Sequence, residues 1–179
     1  MDGSRPPLTF DFFPEVPSFE LTSRDVADGR MLTNDQVADT MGYHGANQSP
    51  QLAWRGVPDE TQSFAVTIHD PDAPTGSGFW HWIVLDIAKG VTELPTGAGA
   101  ADCSSLPAGA LQLRNDAGTI GYVGAAPPPG DVAHRYVLVV HALDVASLEV
   151  PSDAAPAIAG FNLRFHTHAR AQMVPIFGS

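Results

Sequence analysis

Three short segments of this 179-residue chain set ionisable and aromatic side chains at the ends of strongly apolar runs. His69-Asp70-Pro71-Asp72-Ala73-Pro74 follows the run at 64–68, and Phe79-Trp80-His81 leads into the run at 82–85. His134-Arg135-Tyr136 opens the run at 136–143, behind the loop Gly124-Ala125-Ala126-Pro127-Pro128-Pro129-Gly130. Protonated imidazoles hold anions, and a carboxylate either orients an imidazole, favouring its charged form, or meets a ligand ammonium. The same groups would serve a hydrolase as general base and orienting partner. Taken alone, the aspartates have a blander use, since Asp side chains close turns by accepting backbone N–H bonds. It is the occurrence of all three segments at strand ends, where loops present binding groups, that marks a site.

Other reactive residues are less promising. His141, His166 and His168 lack the three or four well-placed ligands of a metal centre, so no metal and no cofactor is expected. Cys103 is the sole cysteine, which excludes an intrachain disulfide, and no basic neighbour lowers its pKa. No Gly-x-Ser-x-Gly elbow is present. Asp70 and Asp72, two apart on a turn, do not reach the opposed geometry of a glycosidase pair.

The elements that must position these groups are strands. Glycine (17) and proline (16) are too many for a helical bundle and too dispersed for a linker, so short strands and tight turns are expected. The runs at 19–23, 52–55, 64–68, 82–85 and 136–143 read as strands, the last two as strands covered on both faces. Residues 1–17 read as an irregular arm pinned by Phe10, Phe12 and Phe13. A single helix is expected near the end, with Asp153 as N-cap, Pro156 in its first turn, and Ile158, Phe161 and Phe165 as its apolar stripe. A last edge strand is expected at 172–177. No repeat or composition shift divides the chain, so 1–179 reads as one domain.

The net charge of −11, with Lys89 as the only lysine, argues against nucleic acid and against docking on anionic membranes. No transmembrane or signal-peptide stretch is present, which points to the cytoplasm.

Asp70-Pro71-Asp72-Ala73-Pro74, His81-Trp82 and Gly124…Pro127-Pro128…His134-Arg135-Tyr136 closely resemble the phosphatidylethanolamine-binding proteins, also called Raf kinase inhibitor-like proteins. Ser49-Pro50-Gln51-Leu52-Ala53-Trp54 and Phe161-Asn162-Leu163…Phe165-His166-Thr167 resemble the bacterial branch, and the likeness spans roughly residues 18–178. It implies a mostly β Greek-key fold: a large central antiparallel sheet, a smaller flanking sheet and a C-terminal helix. It also implies an anion pocket of Asp70, Asp72, Trp80, His81, Pro127, His134 and Tyr136, with Phe79 as a further wall. Where many bacterial members carry Gly-Pro-Cys-Pro-Pro, this chain reads Gly124-Ala125-Ala126-Pro127-Pro128, a less restricted loop.

The leading function is therefore non-enzymatic binding of a small phosphate-bearing or other anionic ligand. Family members that inhibit kinases or proteases add a protein target as a second class of partner. A small hydrolase and an interaction module with a vestigial pocket are the alternatives, and self-association into a homo-oligomer stays open. If both histidines titrate normally, anion binding strengthens as pH falls through about 6.5. His134, at a strand mouth, is expected to be only partly buried, and Arg135 to face away from His134 and Tyr136.

Overall fold

Alternation of apolar and β-branched side chains decides where the chain extends. The computed structural model describes residues 5–178. Its strands are Glu20–Thr22 (β1), Leu52–Arg55 (β2), Ser63–Asp70 (β3), Phe79–Ala88 (β4), Glu93–Leu94 (β5), Leu111–Gln112 (β6), His134–Arg135 (β7), Val137–Leu143 (β8), Thr167–Met173 (β9) and Ile176–Phe177 (β10). One helix, Pro156–His166 (α1), precedes β9. The large antiparallel sheet runs β6-β4-β3-β8-β9, a smaller sheet runs β1-β2-β5, and β7 pairs with β10. This is the mostly β architecture implied by the resemblance. No helix among the described residues is long and apolar enough to cross a membrane.

The central strand β3 is buried along its whole length and sorts its side chains by parity. Phe64, Val66 and Ile68 join Trp82, Leu138 and Val140 in the layer facing β2 and β5. Ala65 packs with Ile83, Leu85 and Leu143 in the layer covered by α1. Farther along that face, Phe10 of the N-terminal arm covers Val137 and Val139 and meets the fully buried His141 ring at 4.9 Å. Burial pushes His141 down to about 3, so it is a neutral core residue, hydrogen-bonded to Thr67 and Thr167.

Three expectations need correction. Phe12 does not pin the arm; it is exposed, and Phe10 does that work. The helix is capped by Ala155, with Pro156 at its first position, rather than by Asp153. Its inner face is also not the Ile158, Phe161, Phe165 stripe, all three of which are exposed. Ala159, Gly160 and Leu163 face inward instead, and a Cβ on Gly160 would meet Trp80 at 3.5 Å. Small residues let the helix approach the indole closely, leaving the bulky phenylalanines outside. The last strand expected at 172–177 falls on β10 and the end of β9, while β9 itself starts directly after His166, with Ala169, Ala171 and Met173 pointing inward.

Candidate functional site

Asp70 is the last residue of β3, and by parity its carboxylate enters the same layer as Phe64, Val66 and Ile68. Its oxygens are fully engaged. Oδ1 accepts the backbone N–H groups of Asp72 and Ala73 at 2.8 and 3.1 Å, closing the turn. Oδ2 accepts His134 Nδ1–H at 2.7 Å, and both side chains are almost completely buried. Burial pushes the Asp70 carboxyl above its usual range, against the pull of that hydrogen bond. His134 is thus a buried partner, not the half-exposed residue expected of a strand mouth.

A bulge brings in the second histidine. Ile68 pairs with Trp82 and His69 with Trp80, so His81 is the extra residue on β4. Phe79, opposite Asp70, and His81 therefore both face the cavity, while Trp80 turns to the other side of the sheet. His81 Nδ1–H donates to the Val123 carbonyl at 2.8 Å, which leaves Nε2 as an acceptor. Burial pushes His81 down to about 4, so the ring is neutral at pH 7. Its edge meets Tyr136 at a centroid distance of 5.1 Å.

These groups line a cavity of about 400 Å³, closed by Phe79, Pro74, Pro127 and Pro128 and with Thr40 and Met41 at its rim. The Tyr136 hydroxyl is buried and has no hydrogen-bond partner among the described residues. No lysine or arginine is among the lining side chains. Of the residues expected from sequence, Asp70, His81, Pro127, His134 and Tyr136 come together here.

Asp72 and Trp80 do not. Both line a separate groove of about 1000 Å³ between the arm and α1, with His69, Phe13 and Phe161. Arg135 alternates away from His134 and Tyr136, as expected, and its guanidinium takes Asp72: Nε–H and Nη2–H donate to the carboxylate, each at 2.8 Å. Burial alone would raise the Asp72 carboxyl, but the hydrogen bonds and charge of Arg135 hold it below the usual range. Arg135 also donates to the Pro6 carbonyl, tying the arm to this pair. Asp72 is consumed by structure.

A family model described as phosphatidylethanolamine-binding protein matches residues 22–178. The chain belongs to the phosphatidylethanolamine-binding protein family. Within that family it is 48% identical to Escherichia coli YbhB over 158 residues, covering 88% of this chain and 99% of YbhB. The crystal structure of E. coli YbcL, described as a new member of the mammalian family, superposes with a TM-score of 0.88 at 45% identity, covering 90% of this chain and 98% of that one. A carboxypeptidase Y inhibitor solved with its proteinase matches at TM-score 0.52 and 18% identity over 91% and 84% of the two chains, a likeness of fold.

One residue beside the cavity, outside its lining, carries no signal in the sequence motif. Asp131 Oδ2 lies 3.5 Å from His134 Nε2, on the opposite side of the ring from Asp70. The i, i+3 spacing to His134 was its only trace. Gly130, at φ +88°, turns the loop tip so that Asp131 comes back over the histidine.

Proposed function

We propose that the chain binds small phosphate-bearing anions in the cavity framed by Asp70, His81, His134 and Tyr136. The observation that carries this reading is the Tyr136 hydroxyl. Leaving a buried donor unpaired costs about 1–3 kcal/mol, a cost that a bound oxygen acceptor would remove. The family and the cavity's volume, suited to a small ligand, support the same reading.

The tautomer of His81 refines the ligand's chemistry. A neutral Nε2 accepts a hydrogen bond, so at pH 7 the site suits an anion that keeps an acidic hydroxyl, as inorganic phosphate does, whereas a phosphomonoester, with its second pKa at about 6, keeps one on only about a tenth of its molecules. Sulfate has no such proton and needs His81 protonated. With His81 at about 4, its protonated fraction is small at pH 7 and rises about tenfold per unit as pH falls toward 4. The expectation of a simple rise in affinity near pH 6.5 therefore does not apply to His81. Calorimetric titration should show phosphate binding at least about tenfold more tightly than sulfate at pH 7, with the gap narrowing as pH falls toward 5. Equal affinities at pH 7 would refute the assignment of His81 as a neutral acceptor.

Asp70 and His134 also form the orienting half of a hydrolytic pair. The Nε2 atom, however, meets the Asp131 carboxylate and not a hydroxyl or thiol, which favours binding over turnover. The reading includes no protein target, since the resemblance to the carboxypeptidase Y inhibitor is one of fold.

A further inference from the structure

The imidazole of His81 enters the cavity with its proton placed by a single peptide unit. The Val123 carbonyl accepts His81 Nδ1–H at 2.8 Å. The Gly124 N–H, on the other edge of that same peptide, donates to Asn47 Oδ1 at 2.7 Å. Asn47, the peptide and the imidazole thus form one hydrogen-bonded file that ends at His81 Nε2 in the cavity. Asn47 itself is exposed and lies outside the cavity lining.

The peptides on either side are anchored independently. Val123 N–H donates to the His81 carbonyl at 3.0 Å, and Ala125 N–H donates to the Gln36 carbonyl at 3.1 Å. Between them, the Val123–Gly124 unit has only the His81 and Asn47 bonds among the described residues. A peptide turns over most readily when a glycine follows it, and here that residue is Gly124. Asn47 is built to resist such a turn. It stands at φ +53°, in the left-handed region that Asn tolerates, and its own N–H donates to the Val37 carbonyl at 2.9 Å. The N–H groups of Gly45 and Gln48 bond to Ala38 and Asp35 on the same segment. From that fixed turn the side chain reaches across to a residue 77 positions further along the chain.

We propose that Asn47 is the positioning residue that keeps His81 a hydrogen-bond acceptor, and so gives the cavity its preference for an anion that carries a proton. Without the Asn47 oxygen the peptide turns over and Gly124 N–H faces Nδ1. The ring proton then moves to Nε2, where it donates to any anion. Asn47 touches no ligand and acts through the peptide and the ring. This inference rests on the anion-binding reading of the cavity.

Asn47→Gly is the deletion to test, because glycine adopts φ +53° freely and keeps the backbone bond to Val37. Asn47→Asp is the rescue, since it retains an acceptor oxygen and also tolerates the left-handed region. Calorimetric titration with phosphate and with sulfate at pH 7, together with nitrogen-15 spectra of the imidazoles, reads the outcome. Wild type and Asn47→Asp should bind phosphate at least about tenfold more tightly than sulfate, with the His81 proton on Nδ1. In Asn47→Gly, phosphate should weaken by about fivefold and sulfate tighten by about threefold, the scale of one hydrogen bond exchanged. The His81 proton should move to Nε2 in that variant alone. An Asn47→Gly protein that keeps the phosphate preference, or that loses it with the proton still on Nδ1, overturns the role of Asn47 and leaves the anion site standing. Loss of the preference in Asn47→Asp overturns it as well. If wild type binds neither ion, the anion site falls and this inference with it.

Discussion

His134→Ala should lower the stability of the folded chain by about 3–5 kcal/mol, because it leaves the Asp70 carboxylate buried without its partner. For a chain of this size that is on the order of a 10 °C drop in melting temperature. Asp70→Ala should cost at least as much. It removes the acceptor of two loop amides as well as the partner of His134, so the turn at residues 70–73 loosens together with the buried pair. Each single change orphans the other residue, so the double variant should be destabilised by less than the two losses combined. Thermal melts of the three variants at pH 7 check this. A His134→Ala protein that melts within a degree or two of wild type would show that the pair is not held as described.

Tyr136→Phe should move stability and binding in opposite directions. Its hydroxyl is buried and unpaired, so deleting it removes a desolvation cost and should leave the melting temperature unchanged or raise it by the equivalent of about 1 kcal/mol. Phosphate affinity should fall by about 10–100-fold, the worth of one hydrogen bond to a charged acceptor. A variant that loses stability would mean the hydroxyl is already satisfied in the free protein. Undiminished phosphate affinity would mean that it does not touch the ligand.

The strands that carry the site were legible because their residues are β-branched and apolar in runs, and Leu52–Arg55 was bounded correctly from those residues alone. The two-residue strands β5, β6 and β7 were not, since two residues hold no period, whereas β10 lies inside the edge strand expected at 172–177. Strand β9 was hidden for a different reason. Its inward side chains are Ala169, Ala171 and Met173, which are weak strand formers directly following a helical pattern. The helix face was misjudged because spacing reports which residues share a face and not which face the sheet accepts. The sheet accepts the face of Ala159, Gly160 and Leu163, with Trp80 packed 3.5 Å from where a Cβ on Gly160 would stand.

The same limit governs the site. Asp70, His81, His134 and Tyr136 were legible as a set because they stand at the ends of neighbouring strands. Asp72 looks equivalent to Asp70 in the sequence, yet Arg135 claims it from the other face of the strand. Trp80 adjoins His81, yet strand alternation puts the two on opposite faces, and the bulge decides that His81 is the one facing the cavity. Asp131 sits in an ordinary-looking loop, and its approach to His134 depends on the turn at Gly130. Long-range pairing and backbone irregularity decided these outcomes, and neither is written in local pattern.

Diffraction from crystals grown with saturating phosphate is the most direct test of the cavity beside Tyr136 as an anion site. One phosphate is expected in the cavity, accepting from Tyr136 Oη–H and donating its own hydroxyl to His81 Nε2. Phosphate found only elsewhere on the protein, with water alone against Tyr136 and His81, would contradict it.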